Sequence, residues 1–316
     1  MRLPRSVAPA VVAAATLLAS GVAQGYCRTT VCANTDEKTR PAECDVPSNE
    51  VNGCYFNVEP LHWDQSCFSY SVQSEGSKKL GITPSRLEEL IGLCFMNWRS
   101  GDCPGGGKPN FSVEQFPRVD CTESRYNTDK PNQNVWVFHD DEWPDPEHAR
   151  VVIALTGVHF HPKTGQIYDV DVEFNSANFD FSVDGQGQGT DLQSVIQHES
   201  GHILGLADLY DRASLAFTMY GDYGENRNLS MRTLDPDDIA GVCEVFPPKS
   251  TPDTGCDPTP RHGFSTQCAE DTGGCSCAIP GGRSTSAMRG PLWLALSLLL
   301  VRRFRRHLRR APTLSR

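Results

Sequence analysis

His198-Glu199-Ser-Gly-His202-Ile-Leu-Gly205-Leu-Ala-Asp208 decides how this 316-residue chain is read. On a helix, residues four apart project from one face, so the rings of His198 and His202 stand together. That is the spacing two imidazoles need to grip one zinc ion. Glu199 lies beside His198, where its carboxylate reaches water on such an ion. Gly205 tolerates a left-handed backbone, so the helix can stop there and the chain can turn back. Asp208 then approaches from a third side. Three protein ligands leave the open position that catalysis needs. Asp211 is an alternative oxygen donor whose spacing does not fit this pattern.

Upstream, Thr190 and Gln193 fit a capping box, with Asp191 where the helix dipole favours an anion. Leu192, Val195 and Ile196 supply a buried stripe. Farther upstream, Thr83-Pro84 predicts a helix start followed by Leu87, Leu90, Ile91, Cys94, Phe95 and Trp98 at helical spacing. Strands are expected at 68–72, 134–138, 151–160 and 167–175, with a Pro162–Gly165 turn before the last. In that last strand Tyr168, Val170, Val172 and Phe174 share one face, and Asp169, Asp171, Glu173 and Asn175 share the other. The acidic face is read either as a solvated surface or as a site for a structural cation, calcium by its oxygen donors. His159 and His161 are candidates for a second zinc site. A final helix runs from Pro236 to Phe246, capped by Asp235 and stopped by Pro247-Pro248.

The motif with its downstream segments resembles the metzincin metallopeptidases, whose extended signature is H-E-x-x-H-x-x-G-x-x-H/D. Thr218-Met219-Tyr220 resembles the Met-turn of that clan. Thr233-Leu-Asp-Pro-Asp-Asp-Ile239 is similar to the last helix of the matrixin (matrix metallopeptidase) branch, and the strand 164–173 to a matrixin strand before the zinc helix. The resemblance spans roughly 58–248. It implies an α+β zincin fold: a twisted, mostly parallel sheet, an active-site helix and a smaller C-terminal subdomain. It also implies a zinc endopeptidase acting on proteins or peptides. His198, His202 and Asp208 would hold the metal, Glu199 would be the catalytic base, Met219 would pack beneath the ligands and Tyr220 would line the substrate cleft. Matrixins usually carry His where this chain has Asp208. An Asp ligand occurs in the snapalysin-like branch, and its charge makes zinc a weaker Lewis acid. Cys44-Asp-Val-Pro47 has a faint likeness to the matrixin propeptide switch; a disulfide is the reading adopted for Cys44. The alternative function is an inactive surface-binding or adhesion module on the same fold.

The remaining sequence concerns address and processing. Residues 1–25 read as a signal peptide, with Arg2 and Arg5 before an Ala-rich apolar stretch. The 13 cysteines are then expected mostly in disulfides, and their odd number leaves at least one with another fate. Residues 26–57 form a Cys-rich lead-in and 249–290 a Pro/Gly/Ser/Cys-rich linker. Residues 291–301 are an apolar run, shorter than a membrane span needs, followed by six arginines within 302–310. With Gly274-Cys-Ser-Cys277 this tail resembles the sorting signal of myxobacterial surface proteins. It implies membrane association before processing and loss of one of those two cysteines, leaving twelve for six disulfides. The protein is thus expected to be exported, extracellular or surface-anchored. A net charge of −10 argues against a nucleic-acid partner.

Overall fold

The computed structural model describes residues 25–33, 40–186, 189–223, 229–249 and 255–268. The expected signal peptide up to residue 24, Cys275, Cys277 and the 291–316 tail lie outside them. Among the described residues no helix is long and apolar enough to cross a membrane.

A five-stranded sheet organises the chain. Its order is Ser112–Gln115, Cys67–Val72, Val135–Phe138, Ile167–Phe174 and Ala154–Phe160. The first four strands are parallel, and Ala154–Phe160 closes the edge antiparallel. This is the mixed, mostly parallel sheet of the expected α+β class. The edge strand begins three residues later than expected. Val151 and Val152 instead donate to the His148 carbonyl in a turn, and Val151 is exposed.

Among the described residues three α-helices accompany the sheet: α1 (Pro84–Ser100), α2 (Leu192–Ile203) and α3 (Pro236–Val245). Thr83 caps α1 by accepting from the Arg86 amide, and Pro84 occupies the first turn, where no amide proton is missed. Asp235 and Asp238 form a full capping box on α3. At α2 the cap is Asp191, which accepts from Ser194 N at 2.9 Å, and not Thr190. Thr190 is committed to a short parallel pairing with Phe181, so the helix starts one residue later than the capping-box reading put it.

The main core lies between sheet and helices. Leu87, Ile91, Phe95 and Trp98 of α1 and Leu192 and Ile196 of α2 pack with Phe68, Trp136, Val172 and Phe174 of the strands. Each such side chain stabilises the fold by roughly 1.5–3 kcal/mol. A smaller cluster, Val119, Cys121, Val135 and Val137, fills the opposite face beneath Phe264. Val135–Phe138 is therefore buried on both faces, which is why it reads as an unbroken apolar run.

Among the described residues five disulfides pin the periphery: Cys27–Cys54, Cys32–Cys44, Cys67–Cys256, Cys103–Cys243 and Cys121–Cys268. Cys44 is thus a disulfide partner. Cys94 is a buried free thiol, so the six-bridge count expected from loss of a tail cysteine does not hold. Its thiol donates to Gln193 O at 3.5 Å. Residues 255–268 run back over the second face as a strap. Ser69 Oγ donates to Pro258 O at 2.7 Å and Asn132 Nδ2 to Arg261 O at 2.9 Å.

Candidate metal centre

Asp191 opens α2 and is also ion-paired with Arg232, whose Nε lies 2.8 Å away. Seven residues on, His198 donates its Nδ1 proton to Thr218 O at 2.8 Å, and His202 donates its own to Leu206 O at 2.9 Å. These bonds fix the tautomer and turn both Nε2 lone pairs inward. Gly205, at φ +93°, reverses the chain as expected, and a Cβ there would press the Leu61 carbonyl at 3.3 Å. Asp208 then presents Oδ1 to both rings.

The three donor atoms form a nearly regular triangle. Nε2 of His198 and His202 are 3.2 Å apart, and Oδ1 of Asp208 lies 3.1 and 3.4 Å from them. Zinc binds nitrogen and carboxylate oxygen at about 2.0–2.2 Å, and corners of a tetrahedron of that radius stand about 3.3–3.6 Å apart. The triangle is thus one face of a zinc tetrahedron to within a few tenths of an ångström. Asp208 Oδ1 is buried and has no hydrogen-bond partner among the described residues. Burial disfavours a charged ring at either histidine, yet the Asp208 carboxylate outweighs it, raising His198 and lifting His202 to about 9. Burial would likewise raise Asp208, but the two imidazoles hold it far below the usual carboxylate range. The three atoms form a strong trap for positive charge, and a metal entering it must displace protons.

Glu199 is buried beside His198, and Thr156 of the edge strand donates to its Oε2 at 2.5 Å. Met219 packs under α2 against Gly201, where a Cβ would fall 2.2 Å from its sulfur. Its turn is held from α3: Asp238 accepts from Thr218 N at 2.9 Å and from Met219 N at 3.3 Å. Tyr220 is half-buried and pairs in parallel with Leu209, next to Asp208. Asp211 caps the short helix Arg212–Ser214, accepting from Ala213 N and Ser214 Oγ at 2.8 Å each.

Residues 127–247 match the family model described as Matrixin. No curated protein matches the chain. The matched segment contains the ligand helix, the Met219 turn and α3, and it makes this part of the chain matrixin-like. The family is one of zinc-dependent metallopeptidases, so the match supports hydrolase chemistry on protein or peptide substrates with zinc as cofactor. The donor triangle fits that ion independently.

Sequence reasoning missed several contributors. The lead-in is built into the site: Cys27–Arg28 pairs antiparallel with Leu206–Ala207, and Thr29 Oγ1 donates to Leu206 O at 2.7 Å. Thr156 and Asp238 reach the site from a distant strand and helix, and no local spacing marks the first. The Asp238 signal was available in the Asp-Pro-Asp-Asp run.

The acidic strand behaves differently from its expected solvated form. Asp169, Asp171 and Glu173 are all buried; the loop before Val135 reaches Asp171 and Glu173 through Arg125 N and Ser124, and Arg261 of the 255–268 strap lies over the neighbouring Tyr168 ring. Asp171 accepts from Val135 N at 2.7 Å and Arg125 N at 2.9 Å. Glu173 is taken by Ser124 and His139. Both oxygens of Asp169 lack a hydrogen-bond partner among the described residues. Burial first, then the Asp171 charge, push its carboxyl well above the ordinary range. His159 stacks on Tyr126, whereas His161 accepts the Lys163 and Thr164 amides of the turn, so the two do not converge. Among the described residues only His198, His202 and Asp208 gather three metal-ligating groups.

Proposed function

We propose that the chain is a secreted or surface-anchored zinc metalloendopeptidase in which His198, His202 and Asp208 hold the metal and Glu199 is the general base. The donor triangle is the observation that carries this reading. When bound, zinc supplies Lewis acidity, which polarises a peptide carbonyl and lets water attack near neutral pH. Glu199 takes the proton of the attacking water and passes it to the leaving amine. Thr156 occupies Oε2 of that carboxylate, so Oε1 is the oxygen left for the proton. The exposed edge of Ala154–Phe160, from which Thr156 reaches Glu199, suits an extended peptide added as a further strand. Tyr220 then stands as a wall of the cleft, and Met219 does packing alone. Asp169 is the one acidic-strand side chain left over for a structural cation such as calcium, because Asp171 and Glu173 already have protein donors.

An inactive surface-binding module on the same fold is the competing reading. Glu199 argues against it, since holding the metal does not require a carboxylate at that position. Metal analysis with casein cleavage, with and without chelator, separates the two. Zinc near one equivalent and chelator-sensitive cleavage are expected. Glu199→Ala should keep the zinc and lose at least the roughly 10²–10⁴-fold that a general base contributes. A variant that cleaves at the parent rate removes Glu199 from the mechanism.

A further inference from the structure

The carboxylate in the donor triangle has a second oxygen with a partner of its own. Asp208 turns Oδ1 to the two imidazoles, while Tyr210 donates its hydroxyl to Oδ2 at 3.0 Å. The segment bearing both is extended and pairs with the Met219 turn: Leu209 N donates to Met219 O at 2.8 Å and Gly221 N to Leu209 O at 2.9 Å. Residues two apart on such a segment lie on one side, so Asp-x-Tyr brings the hydroxyl to the carboxylate. Gly221 seats the ring. A Cβ there would lie 2.6 Å from Tyr210 Cε1 and 3.0 Å from Asp208 Cβ, which leaves space for a glycine alone. The ring is 58% exposed, so its position owes little to burial and much to this seat and to the hydrogen bond.

A carboxylate ligand differs from an imidazole in that it can close on a metal through both oxygens. Doing so fills the coordination position that attacking water needs. A donor fixed on the outer oxygen opposes that closure and draws charge out of the ligand, which offsets the weaker Lewis acidity an anionic ligand imposes. We propose that Tyr210 is a positioning residue that keeps Asp208 a one-oxygen ligand, so that the place of the third histidine is filled without closing the open position. The inference rests on the zinc-peptidase reading above.

Tyr210→Phe removes the hydroxyl and keeps the ring on Gly221. The test uses the full chain loaded with zinc for kinetics and with cobalt(II) for spectroscopy, because four-coordinate cobalt absorbs visible light more strongly than five-coordinate cobalt. The expected result is retained metal, weakened cobalt bands, and kcat lower by about 10-fold or more at unchanged KM, within the range that loss of an outer partner produces. Unchanged bands and kcat would overturn the proposal. So would unchanged bands with metal lost, since Tyr210 would then serve affinity alone. Wild-type protein that takes up neither zinc nor cobalt removes the zinc reading itself, an outcome distinct from a Phe variant that matches a metal-loaded parent.

Discussion

Two short stretches of this chain each carry three residues of metal-ligating type, and only one gathers them. In α2 and its following turn, His198, His202 and Asp208 bring three atoms to within 3.4 Å of one another. On Ile167–Phe174, Asp169, Asp171 and Glu173 share a face, but neighbours on one face of a strand stand about 6.6 Å apart along it. That is twice the edge of the donor triangle. The carboxylates on the strand are instead met differently: two amides for Asp171, a serine and a histidine for Glu173, and burial beside the Asp171 charge for Asp169. Convergence makes an ion site, and a count of acidic residues does not. A helix with i, i+4 spacing and a glycine turn converges by itself, whereas a strand needs a second element to supply the other ligands.

The sharpest way to break this comparison is Asp208→Ala set beside Asp169→Ala. Removing one corner of the triangle should weaken zinc binding by more than the roughly 10–100-fold typical of an outer-shell loss. Asp169→Ala should leave zinc untouched. Zinc retained after dialysis against graded chelator measures both. Equal retention by Asp208→Ala and the parent would move the third ligand elsewhere.

The same contrast explains what the sequence made legible. His198, Glu199, His202, Gly205 and Asp208 fall within one helix and one turn, so local geometry assembles them from spacing alone. Thr83, Asp235 and the alternation of 169–174 were readable for the same reason, but at Tyr168 a register shift opposite His159 and Phe160 puts Ile167 in the core and stacks the Tyr168 ring on Tyr126, off the core face expected for it. Which face of that strand meets water was not, because its cover comes from 121–134 and 255–268, joined by the Cys121–Cys268 bridge, and one sequence does not reveal pairing. The free thiol at Cys94 escaped for a like reason: its helical spacing marks it as core but says nothing of partners. Thr29, meeting the ligand loop from the lead-in, and Thr156, meeting Glu199 from the sheet edge, are contacts between parts far apart in the chain. The misplaced cap at Thr190 shows a local rule losing to a tertiary one, since Asp191 is held by Arg232 as well as by the helix.

Thr156 gives the next test, on the converging side. Its hydroxyl bonds a charged partner, a contact typically contributing about 1.5–3 kcal/mol. If the whole of that were felt in the transition state, Thr156→Val would lower kcat roughly 10–100-fold. Zinc content should not change, since Thr156 touches Glu199 and no ligand. Thr156→Ser should recover most of the loss. Equal kcat in the Val variant would mean that α2 alone orients the base.

The smallest effect is expected on the acidic strand, where it reads out stability. Asp169 titrates higher in the folded protein than in the unfolded chain, whose carboxyl lies near 3.9. Folding therefore takes up a proton at this site. Its contribution is most favourable below the unfolded value and is lost as pH rises towards and through the folded one. In chelator, Tm should fall between pH 5 and pH 8 more steeply for the parent than for Asp169→Asn, which has no charge to bury. Each 1 kcal/mol of difference moves Tm by about 2–4 °C in a domain of this size. Calcium at pH 8 should restore the parent and leave Asp169→Asn unmoved, because a divalent cation replaces the proton only where a carboxylate awaits it. A calcium response of equal size in both proteins would place the cation on other ligands. Parallel pH curves would make Asp169 an ordinary buried acid, and the acidic strand would then owe its carboxylates to the loop and strap that cover it.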